Sequence, residues 1–129
     1  MWRNRIVGAA LAAALSGVTV PGQAQECERF QDPSPASRTS AQITFFNDSQ
    51  YAVRVMWADF NGRMKSYRLV QPEERADFST YVGHLWHLEM YTPSGAECFG
   101  PITAIDNDPC YVHVLYLGGI GIDAGHCDY

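Results

Sequence analysis

From Gln42 to Leu117 the chain alternates between short apolar or mixed runs and turn clusters. QITFFN (Gln42 to Asn47) is rich in β-branched and aromatic residues and stops at Asn47-Asp48-Ser49. In YAVRVMWADF, Tyr51, Val53, Val55 and Trp57 alternate with Ala52, Arg54, Met56 and Ala58, giving one apolar and one mixed face. Asn61-Gly62 follows, a strong hairpin signal. MKSYRLV, ADFSTYV and HLWHLEMYT read as further strands, divided by QPEER and Gly83 and closed by PSG. FGPITAI is weaker because Gly100-Pro101 interrupts it. CYVHVLYL, after the turn DNDP, has the strongest β character, and the glycine-rich GGIGIDAG reads as irregular. Six or seven short strands with turn signals between them predict an all-β sandwich or barrel.

The start of the chain does not follow this pattern. A basic MWRNR precedes the apolar run Ile6 to Val20, and PGQA then places small residues at Gly22 and Ala24. That is the layout of a signal peptide over 1–24. The run is shorter than the ~18 residues a spanning helix needs, so no stable membrane insertion is expected after cleavage. Residues 25–42, with Pro33 and Pro35, read as an irregular lead-in, and 43–129 as one sandwich domain.

Charge narrows the partners. The chain carries a formal −5. Loss of Arg3 and Arg5 with the leader leaves 7 basic against 14 acidic side chains, a formal −7. Nucleic-acid binders need a basic face, so nucleic acid is not expected as a partner.

Cys27, Cys98, Cys110 and Cys127 all follow the expected cleavage site, and an even count in a small exported domain predicts two disulfides. Spacing leaves three connectivities open. A Cys98–Cys110 bridge is the least natural if those residues begin two consecutive antiparallel strands, since they would lie at opposite ends of the hairpin. There is no CxxC pair, and although CYVH and His126-Cys127 contain ligand types, bridged cysteines are expected rather than a metal.

Enzyme motifs are thin. Gly119, Gly121 and Ala124 fit G-x-G-x-x-A, but no helix and second strand follow to make a dinucleotide fold. Asp77, Ser79, Thr80 and His84 cluster without a nucleophile elbow, so neither catalysis nor a cofactor is expected. Asn47-Asp48-Ser49 is formally a glycosylation sequon, read here as a plain turn. The stretch TYVGHLWHLEM holds more. On one strand His84 and Trp86 would share a face, continued by Leu88 and Met90, while His87 would face the other way. With Trp57, Tyr67 and Tyr81 these rings are either core or the walls of a pocket. Tyr and His carry groups that need partners when buried, which favours the pocket.

TYVGHLWHL resembles the strand-Gly-His-Leu-Trp signature of the von Hippel–Lindau (VHL) β-domain family. The resemblance runs without a gap from Ser37-Arg38 through FFNDS, VMWADFNG, Ser66-Tyr67 and Gln71-Pro72 to Trp86, and then fades into a shared strand pattern. It implies a seven-stranded antiparallel β-sandwich whose groove recognises 4-hydroxyproline in an extended peptide. Carried over by position, Trp57, Tyr67, Tyr81 and Trp86 wall the ring, Thr80 and His84 hydrogen-bond its hydroxyl, and Ser79 touches the peptide. Thr80 stands where the family has Ser and keeps the hydroxyl. Ser79 stands where the family has His, so the flanking preference is expected to differ.

The resemblance does not extend to the family's helical domain, which binds elongin and recruits a ubiquitin ligase. No such segment is expected here, and neither partner is expected for an exported chain. The reading is therefore an exported, non-enzymatic peptide-binding module in the periplasm or medium. Its alternatives are a sandwich that uses the scaffold alone for protein contacts, and carbohydrate binding by exposed aromatics.

Overall fold

The computed structural model describes Cys27 and residues 32–129, so the leader expected over 1–24 lies outside the described residues. Nine strands follow one another: β1 Ser40–Asn47, β2 Val53–Ala58, β3 Met64–Val70, β4 Arg75–Tyr81, β5 Trp86–Thr92, β6 Gly95–Ala104, β7 Cys110–Tyr116, β8 Ile120–Gly125 and β9 Cys127–Asp128. They form two sheets, a four-stranded one in the order β4-β1-β7-β8 and a five-stranded one in the order β3-β2-β5-β6-β9. The all-β sandwich predicted from strand patterning is the observed class.

Two details differ from expectation. The described residues hold nine strands rather than seven, because the glycine-rich tail is not irregular. Ile120, Ile122 and Ala124 alternate toward the core across the glycines, and β8 pairs with β7 while β9 pairs with β6. Not every pair is antiparallel, either. The 105–109 connection carries the chain from one sheet to the other, and β7 enters beside β1 in the same direction, Ile43 opposite Cys110.

Between the sheets lie Ile43 and Phe45 of β1, Val53 and Val55 of β2, Trp86, Leu88 and Met90 of β5, and Val112 and Val114 of β7, all essentially buried. Trp86, Leu88 and Met90 share one face of β5, as the two-residue period requires. The opposite face of β5 is covered as well, with His87 at 2% and Glu89 at 3% exposure. Cys27 lies there, its Sγ 3.6 Å from the Leu88 carbonyl oxygen and bridged to Cys98.

The second disulfide joins Cys110 to Cys127. Cys98 and Cys110 are thus unpaired with each other, as expected, but for another reason: β6 and β7 belong to different sheets and form no hairpin. Among the described residues no cysteine is free.

Turns fall where the sequence places them. Asn61-Gly62 lies in the β2–β3 hairpin, where Asp59 Oδ1 accepts the Asn61 and Arg63 N–H groups at 2.8 Å each. That pairing, Arg63 first, holds the Asp59 carboxyl below its ordinary range. Asn47 is buried and structural: its amide donates to the Tyr51 and Val70 carbonyls while Oδ1 accepts from Ser49. With both ends of its side chain committed inside, the sequon is a turn device.

Candidate functional site

The two edge strands β3 and β4 meet along one open side of the sandwich, and the site lies between them. Trp57 comes from β2, Tyr67 from β3, Ser79, Thr80 and Tyr81 from β4, and Trp86 from the start of β5. His84 is not on a strand with Trp86, as the i, i+2 reading held. It sits in the turn before β5, whose backbone reverses at Gly83 with φ of +85°, a conformation open to glycine. All seven side chains proposed from sequence nonetheless line a single cavity of ≈ 220 Å³, together with Phe60.

The rings form a continuous shell. Tyr67 lies 5.4 Å from Trp86 and 6.3 Å from Trp57, centroid to centroid, while His84 lies 5.6 Å from Trp57 and 5.4 Å from Tyr81. Phe60 packs edge-on against Trp57 and His84, both at 5.4 Å, and is 58% exposed at the rim. Sequence reading passed over Phe60 because it falls in the β2–β3 turn, outside the alternating pattern. Its signal was an aromatic directly before Asn61-Gly62, where polar residues prevail.

Two hydrogen bonds set the polar chemistry. Trp86 Nε1 donates to Thr80 Oγ1 at 3.0 Å. Trp57 Nε1 donates to His84 Nδ1 at 3.2 Å. An indole N–H can only donate, so His84 Nδ1 is the acceptor and the neutral ring carries its proton on Nε2. Nε2 is buried, with no well-aligned hydrogen bond among the described residues beyond the influence of the Pro35 carbonyl. Burial pushes the His84 pKa down, against a smaller opposing influence of the Pro35 carbonyl. Thr80 Oγ1 has accepted one bond, which leaves its own proton to donate.

The lead-in also builds the site. Ser34 Oγ donates to the Ala58 carbonyl at 2.6 Å and accepts from Leu85 N at 2.9 Å, tying 32–39 across the turn that carries His84. Read as irregular from its prolines, this segment closes the floor behind the histidine.

The backbone of β4 matters equally. Val82 N donates to Thr39 O and Asn47 N to Glu74 O at the two ends of the β1–β4 ladder. Hydrogen-bonded pairs alternate in an antiparallel ladder, so Phe78 and Thr80 bond inward to β1. Asp77 and Ser79 therefore turn their N–H and C=O groups to the open edge, joined by the Tyr81 N–H. The Tyr81 carbonyl accepts from His84 N.

A β-sandwich with an aromatic cage beside an unpaired strand edge has the build of a binding module. Residues 33–95 match the family model of the VHL beta domain, and through this stretch the chain belongs to that family.

Proposed function

We propose that this protein is an exported, non-enzymatic binding module that takes a proline- or 4-hydroxyproline-containing peptide in extended form. The observation that carries the reading is the convergence of seven side chains and Phe60 on one cavity beside the open edge of β4.

The edge accommodates an imino acid. In a ligand strand running antiparallel to β4, the residue opposite Thr80 shares its face, so its side chain enters the cavity. That position is a non-hydrogen-bonded pair, where the ligand nitrogen points away from β4. A pyrrolidine nitrogen, which lacks N–H, costs no ladder bond there. The next ligand residue, opposite Ser79, makes both main-chain bonds.

The cavity's polar groups favour a hydroxylated ring. Thr80 offers an uncommitted O–H, and the aromatic walls cover the apolar faces of the ring. A ring without the hydroxyl leaves a buried donor unpaired, the arrangement that discriminates most strongly against the lacking analogue. Two disulfides are compatible with an oxidising, exported setting, which also fits the leader-like start of the chain.

The test is a titration of the mature protein, followed by Trp fluorescence, with two short peptides identical except for proline or 4-hydroxyproline. The expected result is about a tenfold preference for the hydroxylated peptide, equivalent to about 1.4 kcal/mol. No response to either peptide would reduce the family relationship to scaffold alone.

A further inference from the structure

A second cleft, of ≈ 690 Å³, lies on the other side of the same three residues of β4. It is lined by Ser79, Thr80 and Tyr81 together with Ser40, Ala41 and Gln42 of β1 and Asn107 and Pro109 of the β6–β7 connection. The β4 segment 79–81 is thus a shared wall, with the aromatic cavity on one side and this cleft on the other.

The cleft's lining has hydroxyl and amide groups and no charged side chain. Of the carboxylates nearby, those of Asp77 and Asp106 are engaged elsewhere. Asp77 accepts from Thr44 at 2.7 Å and pairs with Arg75 at 3.1 Å. Asp106 Oδ1 accepts the Asp108 N–H, and its other oxygen lies 3.9 Å from His126. What the cleft presents is neutral and hydrogen-bonding.

Strand geometry connects the two compartments. Side chains of an extended peptide alternate between faces, so a ring in the cavity directs its neighbour's side chain outward. In the antiparallel register the residue immediately C-terminal to the ring stands opposite Ser79, on the outer face. Ser79 in turn pairs with Gln42 on β1. Ligand, Ser79 and Gln42 form one cross-strand row, and the ligand strand lies about 10 Å from β1, two strand spacings. Because residue 79 is a serine, nothing bulky separates the ligand from Gln42 and Asn107.

We infer that this cleft is a second specificity site, which takes a long uncharged amide side chain, glutamine above all, on the residue directly following the imino acid. A glutamine there spans the gap over Ser79 and exchanges amide hydrogen bonds with Gln42 and Asn107. This rests on the peptide-binding reading above.

The test uses hydroxyproline peptides that differ only in the following residue: Gln, Ala, Glu or Lys. The Gln peptide is expected to bind roughly fivefold or more tightly than the Ala peptide, the gain from one or two added hydrogen bonds, with Glu and Lys no better than Ala. Gln42→Ala is expected to erase the Gln preference while leaving affinity for the Ala peptide within about twofold, and Ser79→His, separately, to erase the Gln preference whatever it does to overall affinity. Equal affinities across the four peptides, a preference for Lys or Glu, or a Gln preference that survives both substitutions would overturn this inference alone. Failure of all four peptides to bind would overturn the peptide-binding reading and this inference with it.

Discussion

Trp86 and Thr80 are joined across the floor of the cavity by one hydrogen bond, indole N–H to hydroxyl oxygen, with both residues nearly buried. The bond does two things: it satisfies the only polar atom of the largest core ring, and it fixes the hydroxyl as a donor toward the cavity. Thr80→Val removes the hydroxyl at nearly constant shape. It should cost about 1–3 kcal/mol by stranding the indole N–H and should abolish the preference for hydroxyproline over proline. Thr80→Ser should retain both. Urea midpoints and paired peptide titrations on the two variants check this, and a valine variant that still discriminates would remove Thr80 from the recognition chemistry.

His84 is mostly buried, yet its one established bond partner, Trp57, is only partly covered. Solvent can therefore reach the Trp57 N–H when the imidazole is gone. His84→Ala is expected to lose hydroxyl discrimination while lowering stability by only about 1 kcal/mol. A much larger drop in the denaturant midpoint would make His84 a core residue first and a recognition residue second.

The strands around the site were legible because their signals are local. Alternation placed Val53, Val55, Leu88 and Met90 inward, and Asn61-Gly62 marked its hairpin. Topology was not local: nothing near Ile43 or Cys110 indicates that β1 and β7 run parallel, since that follows from a crossover between sheets. The tail was missed because Gly119, Gly121 and Gly125 outweigh the alternation of Ile120, Ile122 and Ala124 in any propensity count. In the site, the family register brought the seven residues together, but the strand reading put His84 one element too late. Only the fold reveals the roles of Ser34 and Phe60, which act through partners distant in sequence or from within a turn.

Acid should loosen the molecule in a defined window because of His87. Burial, only partly offset by the charge of Asp32, lowers its pKa from 6.5 to about 4. The unfolded chain binds a proton at His87 as pH falls below 6.5, while the folded chain resists until about 4, so stability declines between those values. The decline attributable to this residue is on the order of 3 kcal/mol by pH 4. Asp77, whose carboxyl is held down chiefly by the Thr44 hydroxyl, and Asp59 lose their contributions only below about 3.8. Urea midpoints from pH 7 to pH 4 should therefore fall less steeply for His87→Gln than for the natural chain, whatever the offset at pH 7. Parallel curves would mean that His87 is solvated in the folded state.

The two disulfides should differ in what they contribute. Cys27–Cys98 spans 71 residues and Cys110–Cys127 spans 17. On chain entropy alone, the long bridge stabilises by about 4 kcal/mol and the short one by about 3. The structure widens the gap, because Cys27 also lies on the outer face of β5, where His87 and Glu89 are buried. Replacing Cys27 and Cys98 by Ser releases residue 27 from that face, and water gains access to both side chains. The double variant at 27 and 98 should accordingly unfold at lower urea than the double variant at 110 and 127. It should also show a flatter acid decline, since a hydrated His87 no longer titrates low. Should the 110/127 variant prove the weaker one, the bond that unites β7 with the tail would be the principal staple, because β8 and β9 depend on it to close both sheets.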